Sequence, residues 1–316
     1  KSRISLDNKK IWVVGHNGMV GNSILKKLKK YKSNILVTEK KDLDLRCQEK
    51  VLNWMKKKKP EVIFLAAAKV GGIAANMAFP RDFLYDNVMI SFNIINSAKL
   101  INVTKLVYLG SSCIYPKNVK QPFVEDSLLK GELETTNQWY SLAKIAGIKL
   151  CEAFRIQDNC NFISVMPTNL YGPMDKFDDH NGHVPAALLN RFHLAKINNL
   201  PEVIVWGSGT PLREFLYVDD LADACVFLAE NYNSPQIINV GSGYEISIKK
   251  FANLIKEVVG YKGKIIFDVS KPDGMKRKLL DSEKIKRIGW KPKISLKKGL
   301  KLFYKWYLDN QNILRK

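Results

Sequence analysis

Three glycines spaced three apart, Gly15, Gly18 and Gly21, stand between two apolar patterns. Before them runs a short β-prone stretch, Ile11 to Val14; after them Val20, Ile24, Leu25 and Leu28 fall on one helical face. A strand that turns sharply into a helix has few ways to fold. Glycine permits the tight turn, and the free N–H groups and partial positive charge of the helix start then face whatever lies above the strand end. The pattern predicts a parallel α/β sheet and a dinucleotide site on Gly15, His16, Asn17, Gly18, Met19, Val20 and Gly21. An ordinary glycine-rich turn is the competing reading.

The rest of the chain continues the alternation. Strands are predicted at Ile35–Val37, Val62–Ala66, Leu106–Leu109 and Phe162–Met166, with helices at Tyr85–Ile101 and Tyr140–Phe154 among them. The strands are short and apolar throughout, so both faces of their sheet must be covered by helices. The fold class is therefore α/β, a Rossmann-type doubly wound parallel sheet. Ligands of such sheets bind beyond the carboxyl ends of the strands. Past residue 168 the alternation loosens, and Tyr171 to His183 reads as a long loop. Helices at Pro185–Ala195, Asp219–Glu230 and Ile248–Val259 and strands at Val203–Trp206, Ile237–Val240 and Ile265–Asp268 follow. We expect a cofactor domain of residues 1–168 plus about 214–243, and a smaller α/β substrate lobe of about 169–213 plus 244–316.

The end of the second strand separates NAD from NADP. A carboxylate there bonds the ribose 2′-OH, whereas a basic group accepts a 2′-phosphate. The stretch Val37-Thr38-Glu39-Lys40-Lys41-Asp42 holds both: Glu39 favours NAD, Lys40 and Lys41 favour NADP. The reading adopted is NADP, with Lys40 on the phosphate. Asp44 is either an adenine contact or a solvated turn residue.

Tyr140 and Lys144 are spaced i, i+4, which places phenol and ammonium on one helix face. Free tyrosine titrates near pH ~10 and exchanges protons poorly at neutrality. A lysine cation and a positively charged nicotinamide would lower it. Ser111 and Ser112 stand at the end of the fourth strand, about 30 residues upstream. In this reading Ser111 orients a carbonyl oxygen, Tyr140 delivers the proton, and Lys144 also holds the nicotinamide ribose.

The formal net charge of +21 would suit an anionic partner, but the lysine runs lack interleaved aromatics, which argues against nucleic acid. They read as solvated faces. The five cysteines, Cys47, Cys113, Cys151, Cys160 and Cys225, form no CxxC pair, so neither a disulfide framework nor a metal site is expected. No apolar run is long enough to span a membrane, and the polar start lacks a signal peptide's apolar centre. A cytoplasmic protein is expected.

Longer blocks carry a resemblance. Ala66 to Ile73 (AAAKVGGI), Leu109 to Lys117 (LGSSCIYPK), Tyr140 to Glu152 (YSLAKIAGIKLCE), Val165 to Pro173 (VMPTNLYGP), Val205 to Val218 (VWGSGTPLREFLYV) and Lys271 to Asp281 (KPDGMKRKLLD) are similar to the GDP-L-fucose synthases, extended short-chain dehydrogenases. The GxxGxxG spacing is theirs as well. The resemblance covers the whole chain and implies conversion of GDP-4-keto-6-deoxy-D-mannose to GDP-L-fucose with NADPH. C3 and C5 are epimerised and the C4 ketone is then reduced. Epimerisation needs two proton-transfer groups besides the tyrosine; the resemblance assigns Cys113 as base and His183 as acid. It adds Leu109, Gly110, Ser112, Pro167, Thr168, Asn169, Leu170 and His183 as cofactor contacts. Arg191, Trp206, Arg213 and Asp273 fall to the GDP end. His180 has no match to the motif, and His193 reads as structural. A homodimer through Tyr85–Ile101 and Tyr140–Phe154, packed as a four-helix bundle, is also implied.

Two positions depart from the family. Asn17 stands where well-known members carry an arginine on the NADP phosphate, and Lys40 replaces another arginine. The nearest rivals are a sugar-nucleotide 4-epimerase or 4,6-dehydratase. A dehydratase would place a carboxylate pair where Ser112-Cys113 stands. A non-catalytic dinucleotide sensor or RNA-binding protein has no use for the Ser111, Tyr140 and Lys144 set.

Overall fold

Strand residues of the first half alternate between two apolar layers, and that alternation organises the molecule. Ile11 and Val13 enter one layer, Trp12 and Val14 the other; Val62 and Phe64 follow the first, Ile63 and Leu65 the second. Both of these strands are thus buried on both faces, as parallel sheets require. The computed structural model describes residues 3–178, 182–271 and 273–314.

The first half runs β1 (Lys10–Val14), α1 (Met19–Leu28), β2 (Asn34–Leu36), α2 (Gln48–Lys58), β3 (Val62–Leu65), α3 (Ile73–Ala78), α4 (Pro80–Leu100), β4 (Lys105–Leu109), α5 (Gln138–Asp158) and β5 (Phe162–Pro167). The second half runs β6 (Asn169–Tyr171), α6 (Val184–Ile197), β7 (Glu202–Trp206), β8 (Leu212–Tyr217), α7 (Val218–Asn231), β9 (Ile238–Val240), β10 (Glu245–Ser247), α8 (Ile248–Val259), β11 (Lys264–Asp268), β12 (Arg277–Lys278), α9 (Glu283–Arg287) and α10 (Leu296–Asp309).

The main sheet has the order β2-β1-β3-β4-β5-β9 and is parallel throughout. The connections reverse direction between β1 and β3, which opens the crevice where such sheets bind ligands. Helices α1 and α7 cover one face through Ile24, Leu28, Leu221 and Leu228. Helices α2, α4 and α5 cover the other through Met55, Ile94 and Ile148.

The second lobe is built around β8, which pairs with β6 and β12 in parallel and β10 antiparallel; β7 and β11 form a separate parallel pair. Its core gathers Leu189, Phe192, Phe251, Ile255, Phe303 and Tyr307 from α6, α8 and α10. The sequence reading has no strand at β6, β8, β10 or β12 and no element beyond Asp268. Strands β6, β10 and β12, of two or three residues, are too short for a period to show, and in the six-residue β8 the adjacent Arg213 and Glu214 break the apolar run. In α10 the apolar stripe Leu300, Phe303 and Tyr307 is interleaved with lysines that mask it. Strand β8 spans the boundary expected near residue 214 and leads directly into α7, which packs on α1.

The glycine turn is sterically closed. Gly15 has φ +86°, and a Cβ there would lie 2.8 Å from the Ala67 backbone. A Cβ on Gly21 would strike the Gly15 carbonyl, because α1 is seated directly on the turn. Gly21→Ala should therefore cost about 2 kcal/mol of stability, as overpacking against backbone does. A thermal melt checks this; an unchanged midpoint would mean that the turn has room.

Candidate active site

Strand β4 ends at Leu109-Gly110, and Ser111 then caps a short helical turn, Ser112–Ile114. Its Oγ accepts a hydrogen bond from the Cys113 amide at 3.2 Å. The head of α5 is tied to the same turn, since Ser141 Oγ donates to the Cys113 carbonyl at 2.9 Å. The neighbour of Ser141, Tyr140, is thereby carried to the strand tip, with its ring edge-on to Phe83 at 6.4 Å. One turn on, the Lys144 ammonium donates to the Leu109 carbonyl at 2.7 Å and lies 5.8 Å from the Tyr140 ring centre. Ser111, Cys113, Tyr140 and Lys144 are thus brought together by one strand end and one helix.

The titration of these groups is set by their surroundings. Burial pushes the Tyr140 phenol up, the Cys113 charge pushes it further, and a hydrogen bond with Ser111 only partly offsets them. Lys144, 4% exposed, is drawn down to about 7 by burial. The lowering of Tyr140 expected from Lys144 is not produced by the protein groups. Burial disfavours the charged form of Lys144, which weakens the pull it can exert on the phenol.

Cys113 behaves oppositely. Burial, the largest single influence, pushes its thiol up, but Lys278, Ser111 and His183 together outweigh it, and the thiol settles below its ordinary range. Lys278 Nζ sits 3.2 Å from Sγ. His183 caps α6, and its Nδ1 meets buried Asp175 at 3.1 Å. The Asp175 charge raises the imidazole, burial lowers it, and the Asp175 hydrogen bond and Cys113 add to the rise. The His183 side chain keeps 43% of its surface exposed, so water screens part of this. A thiol poised to lose its proton thus faces an imidazole poised to keep one. Sequence reasoning missed Lys278 and Asp175. Lys278 is in a block that was noticed, but nothing local in the chain points it at residue 113. His180 lies outside the described residues. His193 bonds Tyr304 at 3.1 Å within the lobe core, as a structural residue would.

The dinucleotide candidates line the crevice. Gly18 caps α1 without a side-chain hydrogen bond, so first-turn N–H groups face outward from a turn that a Cβ would fill. This geometry fits a pyrophosphate. Glu39 reaches back to the turn and binds both His16, at 3.1 Å, and Asn17, at 2.9 Å. Lys40 is exposed beside it. Asp44 has both carboxylate oxygens engaged by Arg46. Pro167 ends β5; Thr168 is buried, and Asn169 donates to the Glu214 carbonyl at 2.8 Å. Leu170 packs against the layer that carries α1 and α7.

In the second lobe Arg191 and Trp206 meet, the guanidinium 6.0 Å from the indole centre, with Lys271 at 5.7 Å. Arg191 donates to the Ile204 carbonyl at 2.6 Å. Arg213 points to the Asp273 carbonyl at 3.4 Å, and the Asp273 carboxylate accepts from the Ser208 amide and hydroxyl at 2.7 and 2.8 Å. Lys271 and Ser208 were not singled out in the sequence. The four residues that were fall in one cationic and aromatic patch.

Comparison with known proteins agrees with this geometry. Residues 11–241 match the NAD dependent epimerase/dehydratase family. A protein of Arabidopsis thaliana described as putative GDP-L-fucose synthase 2 is 55% identical over 95% of this chain and 92% of its own. The Escherichia coli GDP-L-fucose synthase is 48% identical over 98% of this chain and 100% of its own. Among solved structures, a GDP-L-fucose synthetase from Naegleria fowleri bound to NADP superposes with a TM-score of 0.92. It is 29% identical and covers 100% of this chain and 99% of its own.

Proposed function

The chain belongs to the NAD dependent epimerase/dehydratase family, and from that premise we propose that it works as a GDP-L-fucose synthase. It takes GDP-4-keto-6-deoxy-D-mannose, inverts C3 and C5, and reduces the C4 ketone. The relatives that carry this name align over nearly the whole chain. The observation that carries the reading is the Cys113–Lys278 contact beside His183 and Tyr140, because a plain reductase has no use for an activated thiol.

Protons on C3 and C5 are acidified by the ketone between them. The Cys113 thiolate removes one, and the His183 imidazolium returns one to the opposite face. Ser111 and Tyr140 hydrogen-bond the C4 oxygen and hold the enolate charge at each epimerisation. NADPH, when bound on the glycine turn, supplies the hydride. Tyr140 then gives its proton to the C4 oxygen. The raised phenol suits this direction, since an acid must still carry its proton when the alkoxide forms. Lys144 holds the ribose, and Pro167, Thr168, Asn169 and Leu170 border the nicotinamide. Arg191 and Arg213 grip the diphosphate, Trp206 stacks on guanine, and Asp273 accepts from the nucleoside. In this reading the cofactor sits on residues 1–168 plus about 214–243, the sugar nucleotide on the remainder. Among the described residues no helix is long and apolar enough to cross a membrane. Five unpaired thiols support a reading in which the enzyme works in the reducing cytoplasm. Trp139, Leu142 and Ile156 leave an apolar stripe exposed on α5, and Tyr85 lies exposed on α4. Two copies would bury these surfaces as a four-helix homodimer.

The activity is tested by adding GDP-4-keto-6-deoxymannose and following NADPH absorbance. Loss of absorbance is expected. Interconversion of UDP-sugars with no net oxidation would favour the 4-epimerase instead. A pH profile tests the thiol. Exchange at C3 and C5 should rise with pH as Cys113 ionises and fall as His183 loses its proton. Lys278 lowers both groups, so Lys278→Met should move both limbs upward. A hydrogen bond to a charged group contributes about 1.5–3 kcal/mol. The acidic limb should therefore move by roughly one to two pH units. An unmoved profile would leave Lys278 without influence on the thiol.

A further inference from the structure

The cofactor end of the molecule holds a group that NADP recognition does not need. Glu39 follows β2, where a dinucleotide's adenosine ribose meets a sheet of this order. Both its oxygens are fixed from the glycine turn, Oε1 by His16 at 3.1 Å and Oε2 by Asn17 at 2.9 Å. Asn17 first, then His16, hold the carboxyl below its usual range, so it is ionised at neutral pH. The side chain still keeps 45% of its surface exposed. A fixed, ionised and accessible carboxylate presents acceptor lone pairs to a ribose diol without further ordering. The same charge repels a 2′-phosphate. Lys40 and Lys41 follow at once in the chain and are exposed, and the Lys41 charge reaches Glu39. Two exposed cations beside one exposed anion offset much of that repulsion without removing the carboxylate. A strict NADP site would place only donors and cations here, and a strict NAD site would omit the lysines.

We propose that Glu39, clamped by His16 and Asn17, is a second ribose-recognition group that lets this chain bind NADH as well as NADPH. The carboxylate takes the 2′-OH of NADH, and Lys40 and Lys41 take the 2′-phosphate of NADPH. The inference rests on the reading of the glycine turn as the dinucleotide site.

Direct binding tests it without turnover, using the fluorescence of the reduced nicotinamide titrated with the wild-type chain and with Glu39→Ala. Glu39 is half-exposed and outside the core, so the variant should fold. The wild type should bind NADH with a Kd within tenfold of that for NADPH. Glu39→Ala should weaken NADH and tighten NADPH, shifting their ratio tenfold or more. Lys40→Ala should shift the ratio the other way. A wild-type preference for NADPH above tenfold, or a smaller ratio shift in Glu39→Ala, would overturn the inference and leave the dinucleotide site standing. If neither nucleotide binds the wild type, the reading of the glycine turn falls, and the inference with it.

Discussion

Tyr140→Phe should cut ketone reduction by roughly a thousandfold, within the ~10²–10⁴ range of general acid catalysis, while C3 and C5 still exchange with solvent. The phenol is kept protonated by its surroundings, through burial and the neighbouring Cys113 charge. Phenylalanine preserves the ring and its edge contact with Phe83, so folding should not change. What disappears is the proton for the C4 oxygen. Exchange needs only the Cys113 and His183 pair, with Ser111 still holding that oxygen. It should slow, because one of two donors to the enolate is gone, but it should survive. NADPH absorbance reads the first step and deuterium uptake the second. Equal loss of both would mean that Tyr140 serves the enolate and not the reduction.

Cys113→Ser should do the reverse. A serine hydroxyl fits the same space and can accept from Lys278, but it titrates far above a thiol and cannot act as base near neutrality. Exchange at C3 and C5 should fall by about 10²–10⁴. Ketone reduction should fall less. A second readout separates loss of a base from general damage. The Cys113 charge raises Tyr140, so removing it should lower the phenol and move the pH dependence of reduction to lower pH. Unchanged exchange would refute the role of Cys113.

The parts legible in the sequence are those whose residues are fixed by local spacing. The glycine turn, the i, i+4 pair of Tyr140 and Lys144, and Ser111 beside Cys113 each sit within one short stretch, and the flanking apolar periods place those stretches at strand ends. The parts that were missed arise from packing between distant stretches. Lys278 lies 165 residues from Cys113 and reaches it because the two-residue β12 pairs with β8 and the residues just after it bridge to Phe123. Asp175 is close in sequence to His183, yet a loop offers no period that would aim one at the other. The clamp on Glu39 depends on β2 lying beside β1, which brings residue 39 back to residues 16 and 17. The surroundings of Lys144 were hidden for a related reason: its position was legible, but the burial that draws its ammonium down to about 7 was not.

The most direct measurement runs the wild-type reaction in D₂O with NADPH and reads the product by NMR. If a thiol, an imidazole and a phenol act on one ring, the fucose will carry deuterium at C3 and C5 and protium at C4, with one NADPH consumed per sugar. Consumption of NADPH that yields a hexose still bearing its original hydrogens at C3 and C5 would show a simple reductase and contradict it.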